Sequence, residues 1–178
     1  MRTSRNGILF IAGREALVLV AYKDGENPDG TPRYSDGYGN NDAKEGDQTT
    51  PREAWKRLVE NVRKREKIVN AMLLKPVTQY QYDAIISAYY QGGTRNLLPL
   101  AAVVNAGQAN QIPNVLPALD TNRKGEHKPG LKIRREAEAK IAKDGDYGQL
   151  VPIKMWNSDP HMSTPMAYYP DPSDLGGA

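Results

Sequence analysis

The stretch GREALVLVAYKDG, residues 13–25, decides how this chain is read. Glu15 stands in an apolar run between Ile11 and Leu17–Val20, and Asp24 follows nine residues later at the start of a glycine-rich segment. At about 100° per residue, Ile8, Ile11, Glu15, Val18, Leu19 and Tyr22 share one arc, so the spacing predicts a helix over residues 7–22 with Glu15 near the middle of its packed face. A carboxyl group in such a place is desolvated, and desolvation raises its pKa toward the range a general acid needs. The competing reading is an internal ion pair with a buried arginine, which perturbs a carboxylate equally well.

Asp24 adds a second carboxyl group. If the Asp24-Gly25 turn folds the chain back over the helix end, the two carboxyls come to about 6.5–9.5 Å apart, the spacing that leaves room for a water beneath a sugar ring in inverting glycoside hydrolysis. Glu15 then protonates the leaving oxygen, while Asp24, ionised in a wetter loop, activates the water. Asp-Gly taken alone is simply a common turn.

Downstream, residues 23–48 are dense in Gly, Asp, Asn and Pro. The pairs Asp24-Gly25, Asp29-Gly30 and Asp36-Gly37 predict a small twisted hairpin sheet with strands near Thr31–Tyr34 and Gly37–Tyr38. Thr50-Pro51-Arg52-Glu53 reads as a capping box with Pro at the first helical position, opening a helix to about residue 73. Thr78-Gln79-Tyr80-Gln81 opens another, stopped by Gly92-Gly93. Shorter helices are expected near 97–105, 112–119 and 133–143. The fold class expected is α+β, mainly α: a two-lobed domain over residues 1–147, with a β lobe at about 23–48, a long linking helix at about 51–73 and a helical lobe at about 78–145. Residues 148–178 hold five prolines and no helical period, and read as an extended C-terminal segment, part of which docks through Trp156, Met162, Met166, Tyr168 and Tyr169.

Composition narrows the function classes. The 178 residues suit one domain. With Lys+Arg 24 against Asp+Glu 21, the net charge of +3 suits an anionic partner such as cell wall, nucleic acid or a lipid surface without choosing among them. No run of five like charges supports a nucleic-acid tail. The absence of cysteine excludes disulfides and thiolate metal sites. The two histidines, His127 and His161, stand in loop-like sequence, which argues against a histidine metal cluster or triad. No cofactor is expected. Arg14 and Glu15 interrupt the N-terminal apolar stretch, so neither a signal peptide nor a membrane span is expected.

Several stretches together resemble the phage-type lysozymes, the endolysin muramidases. Glu15, eight intervening residues, Asp24, and then Tyr34-Ser35-Asp36-Gly37-Tyr38-Gly39 are similar to that family's catalytic signature. Gln79-Tyr80-Gln81-Tyr82-Asp83-Ala84, Gln91-Gly92-Gly93, Asn105-Ala106-Gly107 and Pro129-Gly130-Leu131 with Arg134-Arg135-Glu136-Ala137-Glu138 follow in the family's order, over roughly residues 8–145. The resemblance implies Glu15 as general acid, Asp24 as general base or electrostatic stabiliser, and Ser35 in the family's threonine place, holding the attacking water. It places Tyr90 and Gln91 at the substrate. Arg134 and Arg135 read as solvent-facing charges paired with Glu136 or Glu138.

The departures are Ala16 where the family has Gly, Ser35 for Thr, Asp36 for an apolar residue, and Asn40 where His is common. The long Asp24–Ser35 loop leaves Thr31 as a rival hydroxyl and Asp36 as a rival base. The resemblance implies cleavage of the β-1,4 bond between N-acetylmuramic acid and N-acetylglucosamine in bacterial peptidoglycan, by a monomer made in the host cytoplasm and released through a holin or delivered in the virion. The C-terminal segment favours docking to a phage structural protein. A lytic transglycosylase, which needs the acid but no base, and a wall-binding or virion-structural module without catalysis are the alternatives.

Overall fold

The computed structural model describes residues 1–122 and 124–175. Among these are six α-helices and one five-stranded sheet. The chain divides into two compact units, Met1–Ile11 with Val62–Gly148, and Ala12–Asn61 with Gln149–Ala178. The first division falls inside helix α1 (Arg5–Glu15), the second inside α2 (Pro51–Met72).

The first unit is helical: the second half of α2, then α3 (Gln79–Gly92), α4 (Thr94–Asn105), the short α5 (Ile112–Val115) and α6 (Pro129–Asp144). Local signals account for the starts. Thr78 accepts from the Gln81 amide while the Gln81 side chain accepts from the Thr78 amide, a complete capping box on α3. Thr50 and Glu53 make the same reciprocal pair at the head of α2. The apolar faces of α3 and α6 meet, and the core is built from Ile85, Ile86, Leu97, Leu100, Val104, Ile112, Leu116 and Ile141, all nearly inaccessible to solvent.

Arg134 and Arg135 are not the solvent-facing charges the sequence suggested. Both are buried, and both close on the fully buried Glu138, at 3.2 Å and 3.1 Å. The Ser87 hydroxyl donates to the same carboxylate at 2.7 Å, and Arg135 also donates to the Gln91 side-chain oxygen at 3.2 Å. Burial pushes the Glu138 carboxyl up, and the guanidiniums of Arg135 and Arg134 and the Ser87 hydroxyl oppose it. One i, i+4 and one i, i+3 spacing on α6 make this cluster possible; the packing against α3 decides that it is interior.

The second unit corrects the first helix. Helix α1 stops at Glu15, and residues 17–22 are not helical: strand β1 runs Leu17–Glu26. A short run such as Leu17-Val18-Leu19-Val20 satisfies a helical face and a buried strand alike, and its valines favour the strand. The break is at Ala16, whose φ of +62° makes it the only non-glycine residue with positive φ among the described residues. An L-residue in this left-handed conformation carries a Cβ–carbonyl clash that glycine lacks. Ala16→Gly is therefore expected to stabilise the protein by about 0.5–1 kcal/mol, the relieved strain partly offset by the greater chain entropy of glycine when unfolded. Urea titration checks this, and a midpoint that stays or falls would contradict it.

Strand β2 (Pro32–Gly37) runs antiparallel to β1, and β3 (Asn40–Ala43) antiparallel to β2. Gly37–Tyr38 lies where β2 gives way to the turn before β3 and is not a strand of its own. The C-terminal segment adds two more strands. β4 (Ile153–Trp156) pairs parallel with β1, and β5 (Met166–Tyr168) pairs antiparallel with β4, giving the order β3-β2-β1-β4-β5. The core of this unit is Leu17, Val18, Tyr38, Ala54, Trp55, Leu58 and Ile153, with Tyr38 edge-on to Trp55.

Candidate active site

Three of the residues singled out in the sequence are carried by the second unit, on three successive elements. Glu15 is the last residue of α1 and is half-buried, not enclosed on a packed face. Its Oε2 lies 3.6 Å from where a Cβ on Gly39 would stand, so the carboxylate sits over the turn between β2 and β3. Gly39 has φ +75°, a backbone state that suits glycine, and the turn stays low beneath the acid.

Asp24 sits on β1, not in a free loop. The register reads Lys23↔Tyr34 and then Glu26↔Pro32, so β1 holds one residue more than β2 over this interval. The resulting bulge contains Asp24 and Gly25, and Gly25 takes φ +112°. Bulges re-aim the side chains of the strand that carries them. Asp24 is thereby left about half exposed while its Oδ2 accepts a 3.0 Å hydrogen bond from the Ser35 hydroxyl. Ser35 itself is 1 % exposed and stands opposite Tyr22 in the ladder. Arg33 completes the group: its guanidinium donates to the Asp24 main-chain oxygen and lies 3.8 Å from the Asp24 carboxylate. That ion pair is partly solvated and so adds little stability.

The rivals are engaged elsewhere. Thr31 donates to Asp29 at 2.6 Å and accepts from Asn27 at 3.0 Å inside an exposed turn. Asp36 is buried and held by Arg57 at 2.8 Å and Asn40 at 3.0 Å, as a structural ion pair within the β unit. Asn40, in the place of the family's histidine, thus has a partner in the substituted Asp36.

Tyr22 is the group that sequence reasoning did not assign to the site. Burial, and then the nearby carboxylates of Asp24, Glu15 and Asp159, push its phenol above the ordinary value. Its position two residues before Asp24 was the available signal. Arg33 was missed because the bulge that sets it against Asp24 cannot be counted before the register is known.

Tyr90 and Gln91 belong to the other unit, near the end of α3. They line an open cavity of about 510 Å³ together with Lys64, Arg65, Arg95 and Asn122. The Arg65 guanidinium lies 4.3 Å from the centroid of the Tyr90 ring. Among the described residues no group of three or more His, Cys, Asp or Glu side chains is placed to hold a metal ion.

Known proteins resemble this chain in sequence and in fold. The family described as phage lysozyme matches residues 12–138. The endolysin of Acyrthosiphon pisum secondary endosymbiont phage 1 is 31% identical over 144 residues, 78% of this chain and 95% of the relative. Among solved structures, the endolysin from Escherichia coli O157:H7 phage FAHEc1 superposes with a TM-score of 0.71 at 31% identity, covering 84% of this chain and 98% of that one. The muramidase domain of SpmX from Asticaccaulis excentricus gives a TM-score of 0.68 at 26% identity, covering 79% and 97%.

Proposed function

The chain belongs to the phage lysozyme family, and we propose that within it Glu15 is the general acid, Asp24 the base and Ser35 the hydroxyl that orients Asp24 and the attacking water. The protein is a peptidoglycan hydrolase, a glycosidase of the bacterial wall. The bond cut is the β-1,4 link from N-acetylmuramic acid to N-acetylglucosamine.

The single observation that carries the division of labour is the contrast between the two carboxyl environments. Glu15 is half-buried at a helix end over a glycine turn. Asp24 is more open to water, beside a guanidinium, and receives a hydroxyl proton donor. The Ser35 hydroxyl and the Arg33 guanidinium hold the Asp24 carboxylate in place, as a base must be held. Glu15 protonates the glycosidic oxygen as the bond breaks. Asp24 stabilises the oxocarbenium-like sugar and deprotonates the water that attacks it. No helix among the described residues is long and apolar enough to cross a membrane, and we infer that the enzyme reaches the wall by holin release or in the virion.

Digestion of purified wall followed by mass spectrometry tests this reading. The expected products end in a reducing N-acetylmuramic acid. Anhydro-muramyl ends would assign the protein to the lytic transglycosylases, and reducing N-acetylglucosamine ends would place the cut at the other glycosidic bond.

A further inference from the structure

The segment after Gly148 lies outside the matched residues 12–138, yet it enters the sheet that carries Asp24. Because β4 is parallel to β1, with Leu17↔Met155 and Val18↔Trp156 paired, the chain leaving β4 advances in the same direction as the part of β1 that leads to Asp24. It then forms a loop over residues 157–165 before β5 returns along β4.

This loop holds its own shape. The Asp159 carboxylate accepts from the His161 amide at 2.8 Å, and the Asp159 main-chain oxygen accepts from the Met162 amide at 3.1 Å and the Ser163 hydroxyl at 2.8 Å. Trp156 donates its indole N–H to the Ser163 oxygen at 3.1 Å. Turned this way, the loop presents His161 edge-on to Tyr22, with ring centroids 5.6 Å apart and planes at 71°. Tyr22 is the residue opposite Ser35 and two before Asp24. The Asp159 carboxylate also acts on the Tyr22 phenol, as do those of Asp24 and Glu15. A ring that stands opposite the serine bonded to Asp24, and is packed from outside the family's matched region, is placed to shape how a sugar approaches that base.

We propose that His161 is a positioning residue for glycan binding: the loop of residues 157–165 packs His161 against Tyr22, fixes that ring beside Asp24, and makes a wall of the substrate site that the matched family region does not supply. The proposal rests on the assignment of Asp24 and Glu15 to the site. Its ligand is the glycan strand itself, because what is organised beside Asp24 is an aromatic ring with a hydroxyl, the combination that lies flat against a sugar and hydrogen-bonds its edge.

The test is binding of peptide-free glycan oligosaccharides prepared from purified wall, measured by calorimetry on the full chain carrying Glu15→Gln, so that cleavage plays no part. Adding His161→Ala is expected to weaken binding about three- to tenfold, the order of an aromatic pair lost next to ligand. His161→Phe should restore it to within about twofold, since an edge-on ring contact needs no imidazole. In the chain with Glu15 intact, His161→Ala should act mainly on KM. Circular dichroism melting verifies that the exposed substitution leaves the fold in place.

Parent-like binding by His161→Ala overturns the proposal. So does failure of His161→Phe to rescue, which would mean that the imidazole acts through its charge or hydrogen bonds. Absence of glycan binding by the Glu15→Gln parent overturns it too. The muramidase assignment is judged separately by the products of the unsubstituted enzyme, so cleavage by the parent with no effect at position 161 removes this inference alone.

Discussion

Glu15→Gln is expected to abolish clearing of permeabilised Gram-negative cells, with the rate falling by about 10³-fold or more. Glutamine has nearly the same volume and still reaches over the turn at Gly39, but it has no proton to give the leaving oxygen. General acid catalysis supplies about 10²–10⁴ in rate, or about 3–5 kcal/mol of barrier. The position is the end of α1 and half-buried, so the near-isosteric substitution there should move the thermal midpoint by no more than a few degrees. Turbidity decay and a melting curve on the same preparation separate lost chemistry from lost fold. Clearing at the parental rate would remove Glu15 from the mechanism and with it the proposed division of roles.

Asp24→Asn comes second in size, with an expected loss of about 10²–10⁴ in clearing rate. An asparagine oxygen can still accept from the Ser35 hydroxyl, so the hairpin should survive. It cannot take a proton from water, and it carries no negative charge to stabilise an oxocarbenium-like centre. The companion substitution Asp36→Asn removes the buried ionic partner of the half-buried Arg57 and should act on stability instead, because the charge-assisted hydrogen bond between them is weakened. A fall in rate on Asp36→Asn with full activity in Asp24→Asn would reverse the two assignments. Activity retained in Asp24→Asn together with anhydro-muramyl products would favour the transglycosylase.

These experiments bear on residues that differ in how visible they were. Glu15, Asp24 and Ser35 are proposed for the site on identity and order along the chain, and those survive an error in local structure. The helix drawn through residues 7–22 is such an error. It kept Glu15 and lost the geometry, because a run of four aliphatic residues after Glu15 carries no period that separates strand from helix. The turn at Ala16 was invisible for a related reason: a left-handed residue is signalled by glycine, and this chain has alanine there. The helix starts at Thr50 and Thr78 were legible because a capping box closes within four residues of the chain and needs nothing from elsewhere.

By itself, then, the sequence determined the mainly helical class with one small sheet and the capped starts of α2 and α3, and it singled out Glu15, Asp24 and Ser35 as the residues proposed for the site. All of these rest on short-range hydrogen bonding or on residue chemistry. Tertiary structure alone decided that Arg134, Arg135 and Glu138 form a buried cluster, that Asp36 is bound to Arg57, and that Asp24 is turned by a bulge toward Ser35. It also decided that the proline-rich C-terminal segment lies beside β1 and brings His161 to Tyr22. Each of these depends on strand register or on helix packing between residues far apart in the chain, and neither has a local code: a shift of one residue in register changes the face of every side chain in the strand.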